Sequence, residues 1–116
     1  MPGYVNVELI EGIIFAKYVG EMNVELIKEA QAKIERLLDE SDTSKILYNT
    51  LDMSVPSMKL AIEMQSFDAK IKEKVQKSAT VVPGATTAFM ASISFVLSQN
   101  HKVFHNNLEG AINWLK

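Results

Sequence analysis

Val5, Val7 and Leu9 alternate with Asn6 and Glu8, the two-residue period of a strand with one buried and one wet face. The next run, IIFAKY at 13–18, is more continuously apolar and belongs deeper in the same sheet. Glu11-Gly12 between the runs suits a tight antiparallel hairpin. Gly20 ends the second strand, and from Asn23 the spacing becomes helical. Ile27, Ala30, Ile34, Leu37 and Leu38 form one stripe, with Glu25, Lys28, Glu35, Arg36 and Asp39 mostly turned away from it. Asn23 is the expected N-cap of this helix.

Lys45–Asn49 reads as a short buried strand, and Thr50–Pro56 as a loop. A second amphipathic helix is expected from Ser57 to Val75, with Leu60, Met64, Phe67 and Ile71 on its apolar stripe and Pro56 just before its start. Ser78–Val82 is a further strand, stopped by Pro83-Gly84. Thr86–Ser98 is expected to be a third helix, Lys102–His105 a last strand and Leu108–Leu115 a terminal helix. The order ββαβαβαβα gives an α/β fold: a mixed sheet with an N-terminal antiparallel hairpin, then alternating strands and helices, with helices flanking the sheet.

Length and composition fit one domain over residues 1–116. The chain has 47 % hydrophobic and 22 % charged residues, the balance of an ordinary globular protein. It has no cysteine, which removes disulfides, thiolate metal sites and cysteine nucleophiles, and is compatible with a cytoplasmic location. Residues 1–12 lack the charged start and apolar stretch of a secretory signal. The net charge is −2, which offers no basic excess for nucleic acid or an anionic membrane. The first 44 residues hold nine acids and four bases, so the first helix presents an acidic, solvated face. Lys70, Lys72, Lys74 and Lys77 crowd the end of the second helix, where they complement the negative end of its dipole. They include no arginine and no interleaved aromatic ring for stacking on bases.

Ser78 to Asn100 contains no charge across 23 residues. Pro83-Gly84 and the serines and threonines beyond it break up any bilayer span. The helix within this stretch carries Phe89, Met90, Ile93, Phe95 and Leu97 around more than one stripe. Either the chain covers it on most sides, or its second face meets a ligand or another copy, in which case a two-fold homodimer is expected.

Catalytic and metal chemistry find little support. His101 and His105 flank the last strand, which sets them ~13 Å apart at ~3.3 Å per residue, too far to share an ion. No nucleophile elbow, P-loop or dinucleotide fingerprint is present, so no cofactor is expected. The best site candidates are two strand-to-helix junctions. One holds Asp52, Ser54, Ser57 and Lys59, and the other holds Thr86 and Thr87. Their hydroxyls are either helix caps or an anion- and partner-binding edge.

The ending Val103-Phe104-His105-Asn106-Asn107-Leu108-Glu109-Gly110-Ala111-Ile112-Asn113-Trp114-Leu115 resembles the tail of the SpoIIAA-like group of STAS-related domains. Tyr18-Val19-Gly20, the strand Ile46–Tyr48 and the strand through Val81-Val82 follow the same plan. The resemblance implies kinship to anti-sigma-factor antagonists and to the lipid-transfer fold of the CRAL-TRIO type. In true antagonists, an acid-serine-serine-glycine or acid-serine-threonine-glycine run at a helix start carries a phosphorylated serine. Val55-Pro56-Ser57-Met58-Lys59 stands at that junction here, with Ser57 the nearest hydroxyl and Lys59 placed to neutralise an added phosphate. The expected function is a non-enzymatic binding or regulatory domain acting on a protein partner. The rival is a small carrier of a hydrophobic molecule, with Met53, Met58, Met64, Phe89, Met90 and Phe95 lining an apolar cleft.

Overall fold

A computed structural model of the chain describes residues 3–54, 57–83 and 101–116. Strand β1 (Tyr4–Ile10) and strand β2 (Ile13–Gly20) form the expected hairpin. Its turn residues Glu11 and Gly12 have φ of 49° and 82°, the pair of positive values that a two-residue turn needs to match strand twist. Helix α1 (Val24–Glu40) starts where Asn23 Oδ1 accepts from the Leu26 N–H at 2.8 Å. Strand β3 (Lys45–Met53), helix α2 (Met58–Ile71), strand β4 (Lys77–Val82), strand β5 (His101–His105) and helix α3 (Leu108–Leu115) follow. Residues 84–100, with the expected third helix, lie outside the described residues.

The strands stand in the sheet in the order β1-β2-β3-β4-β5. β1 and β2 are antiparallel, and every later neighbour is parallel. Two cores share this sheet. On one face α1 and α2 cover Ile14, Tyr18, Ile46 and Tyr48 with Ile27, Ile34, Leu60 and Ile71. On the other, Ala111 and Leu115 of α3 pack on Ile13, Leu47, Ala79 and Val81. The central strands β2 and β3 supply both cores from alternate residues.

Two boundaries differ from the sequence reading. β3 runs on to Met53, so Thr50–Met53 belong to a strand and not to a loop. The pairing with β2 shifts between Lys17 and Val19. Across this irregularity Leu51 packs in one core and Met53 in the other, although residues two apart in a regular strand share a face. Asn49 Oδ1 accepts from the Leu51 N–H at 3.1 Å, and the buried Thr50 hydroxyl donates to the Val81 carbonyl at 2.6 Å. α2 ends at Ile71, and its expected last turn is a 3-10 segment, Lys72–Lys74.

The lysines also differ from expectation. Lys70 and Lys74 reach across to Glu35 and Asp39 of α1, at 3.4 and 2.8 Å. Lys77 serves α3 instead. Its Nζ donates to the Trp114 carbonyl at 3.1 Å and sits 5.0 Å from the centre of the indole. This cation supplies the positive charge missing from the last turn of α3.

Candidate functional site

The carboxyl ends of β2 and β3 come together at Gly20 and Met53, and the Ser54 N–H donates to the Gly20 carbonyl at 3.0 Å. Gly20 has φ of 77°, and a side chain there would press on the Gly3 backbone. The chain then enters α2 past Ser57, whose Oγ accepts from the Leu60 N–H at 3.2 Å. Ser57 is thus a helix cap, and its exposed position leaves the hydroxyl open to solvent. Asp52, Ser54 and Lys59 are also exposed around this junction.

The first turns of α2 carry a feature absent from the sequence reading. Met58 and Ile62 are 50 % and 53 % exposed. They stand four residues apart on the side opposite Leu60, Phe67 and Ile71, so their side chains are neighbours on one outer face. Exposed Ala69 continues that face. Two large apolar side chains at i and i+4, off the core stripe, were the signal that could have revealed it.

Parallel strands β2 to β5 follow one another in sequence order, so among the described strands there is no reversal of strand order. Such a reversal is what opens a small-molecule cleft at the carboxyl edge of an α/β sheet. Two hollows lie elsewhere. One of about 420 Å³, lined by Gly12, Thr43, Ser44, Lys45 and Gln76, lies at the amino-terminal ends of β3 and β4. Another of about 350 Å³ lies between α1 and α2.

A second polar group lies on the sheet face beneath the helices. The Ser78 Oγ is 2.6 Å from His101 Nδ1, and the Thr80 Oγ1 is 3.0 Å from His101 Nε2. Tyr48 stands beside the imidazole with ring centres 6.4 Å apart, and Tyr18 stacks on Tyr48 at the same distance. Burial pushes His101 down to about 3 and pushes the Tyr18 phenol far above its ordinary range. A hydroxyl against an imidazole is the first half of a nucleophile–base pair. Here Ser78 is 1 % exposed, and the other ring nitrogen meets a threonine hydroxyl where a catalytic histidine would have an orienting carboxylate. The trio is a structural clasp between β4 and β5. It escaped the sequence reading because the parallel register alone brings positions 78 and 101 opposite each other.

Other candidates are placed as follows. Met53 lies in the first core, Met64 packs against it, and Met58 is outside. Thr86, Thr87, Phe89, Met90, Ile93, Phe95 and Leu97 lie outside the described residues. His101 and His105 occupy the two ends of β5. Among the described residues no group of three metal-ligating side chains occurs, and no helix is long and apolar enough to cross a membrane.

The SpoIIAA-like family model matches residues 13–116. No match to a curated protein is found. Three solved structures share the fold over nearly the whole chain. An uncharacterised protein with a SpoIIAA-like fold from Shewanella loihica is 14% identical, with a TM-score of 0.72, covering 99% of this chain and 94% of its own. An anti-sigma factor antagonist from Mycobacterium paratuberculosis is 15% identical, with a TM-score of 0.68 and coverage of 97% and 93%. The anti-sigma factor antagonist SpoIIAA in its unphosphorylated form is 14% identical, with a TM-score of 0.71 and coverage of 94% and 93%.

Proposed function

The chain belongs to the SpoIIAA-like family, and on that premise we propose that it is a non-enzymatic, cytoplasmic regulatory domain that binds a protein partner through the outer face of α2. The exposed Met58–Ile62 pair carries this reading. Exposed large apolar side chains next to polar, hydroxyl-bearing loops have the anatomy of a docking patch, with an apolar centre and a polar rim. Two of the structural neighbours are anti-sigma factor antagonists, which fits a protein partner.

Regulation by phosphorylation fits the same junction. A phosphate on Ser57 would bring a charge of roughly −1.5 to −2 to the start of α2, beside Lys59 and next to Met58. It would tax an apolar docking patch with a charge to desolvate, without refolding the domain. The homodimer expected from Phe89 to Leu97 also belongs to this proposal. So does the action of residues 1–116 as one module.

The test is capture from an extract of the source cells on the immobilised chain, run beside a Met58→Ser/Ile62→Ser double variant and an Ala32→Ser control on α1. The reading expects a protein retained by wild type and control and lost from the double variant, with unfolding temperatures alike. Ser57→Asp should weaken retention as well. Retention unchanged in the double variant removes α2 as the docking face. Mass spectrometry of an organic extract of the purified protein tests the hydrophobic-carrier alternative, which a stoichiometric acyl chain would support.

A further inference from the structure

We propose that the chain pairs with a second copy of itself along the free edge of β1, antiparallel and centred on Val7, joining two five-stranded sheets into one. β1 is the outermost strand, and its only described strand partner is β2. The two-residue turn decides which backbone groups face outward. Ile10 and Ile13 close the turn opposite each other, so Ile10, Glu8, Asn6 and Tyr4 exchange hydrogen bonds with β2. Val5, Val7 and Leu9 therefore aim their N–H and C=O groups at the open edge.

Edge strands are normally blunted by proline, lysine, bulges or short length. The seven residues YVNVELI contain neither proline nor lysine, and their register with β2 is unbroken. Tyr4, Leu9 and Ile10 on this one strand are 56 %, 41 % and 44 % exposed.

The sequence of the edge is complementary to itself in one register. With Val7 opposite Val7 of the second copy, Val5 faces Leu9, and all outward backbone groups meet outward groups. Tyr4 then faces Ile10, and Asn6 faces Glu8. Sliding the pair by two residues one way sets Glu8 against Glu8, a like-charge pair that costs stability. Sliding it the other way leaves Leu9 and Ile10 unpaired and Tyr4 against Glu8. In the Val7-centred register charge is also matched. Asn6 has Lys17 as its neighbour on β2, so each Glu8 lies across one asparagine from the Lys17 of the other copy. Long side chains span that gap, and Lys17 is exposed.

This goes beyond the regulatory reading: the partner still docks on the outer face of α2, while the contact between copies moves from residues 89–97 to β1, so sedimentation tests this proposal and capture tests that one. Sedimentation equilibrium from ~1 μM to ~1 mM covers the range of a small, transient interface. The wild-type mass should rise from 13.0 kDa toward twice that value. Val7→Pro removes an outward donor and spares the β1–β2 ladder, so it should hold the monomer mass while circular dichroism stays native. Asn6→Glu, at an exposed position, faces a carboxylate with a carboxylate and should weaken association at least tenfold, more at low salt than at high. A wild type that stays monomeric throughout overturns the proposal. So does association that Asn6→Glu leaves unchanged, which would place the dimer on another face.

Discussion

His101 rests between two hydroxyls on a covered sheet face and is held neutral there, since burial penalises the imidazolium. In the unfolded chain it would titrate near ~6.5. The folded value is the lower one, so the unfolded state binds the extra proton between these limits. The neutral clasp therefore contributes its full stability above about pH 6.5 and loses it as pH falls toward 3. The slope for this one proton approaches ~1.4 kcal/mol per pH unit. Urea unfolding at pH 7.0, 6.0 and 5.0, above the main carboxylate range, should show the decline, and His101→Asn should flatten it. Equal pH dependence in both proteins would assign the acid sensitivity to other groups.

Local chemistry governs the elements with equal directness. Gly12 is open on all sides, and a Cβ there would meet nothing within 4 Å. Its only constraint is φ of 82°. Gly12→Val should therefore cost about 1–2 kcal/mol, while Gly12→Asn should come close to wild type. Matched urea midpoints with an unchanged slope would check this. The hairpin, α1, α3 and the core stripes were legible in the sequence because apolar periodicity, the Glu11-Gly12 turn pair and the Asn23 cap mark them. The end of β3 was not. Thr50-Leu51-Asp52-Met53 reads as a loop because a shift in pairing puts Leu51 and Met53 on opposite faces, which breaks the alternation that marks a strand. Helix α2 was legible on its buried side only. The partners of Lys70, Lys74 and Lys77 needed the third dimension, since each is 35 to 37 residues away in sequence.

Across the whole molecule, one sheet separates two unequal cores. Among the described residues the larger is assembled by α1 and α2 on strands β1 to β3, and the smaller is covered by one eight-residue helix, α3. Leu115 is fully buried at its end, so Leu115→Ala should cost about 2–5 kcal/mol, the range for an aliphatic core truncation. Thermal unfolding should still be one transition, because both cores share strands β2 and β3. Two separate transitions in that variant would show the helix to be an independent appendage. The candidate surface was the part least legible at this scale. The junction at Ser54–Ser57 could be read from hydroxyls before a helix, but its apolar centre on α2 emerged only when burial showed Met58 and Ile62 left uncovered.

The strands stand side by side in the order in which they are synthesised. A nascent chain leaving the ribosome can therefore add each strand to a partner already present, without waiting for a distant one. By the time Met53 emerges, the hairpin, α1 and β3 already supply most of the larger core. The smaller one stays open until translation reaches Ala111 and Leu115. Until Ala111 and Leu115 arrive, Ile13, Leu47, Ala79 and Val81 lack the α3 side chains that pack on them, and that apolar floor is a natural place for a chaperone to hold the growing chain.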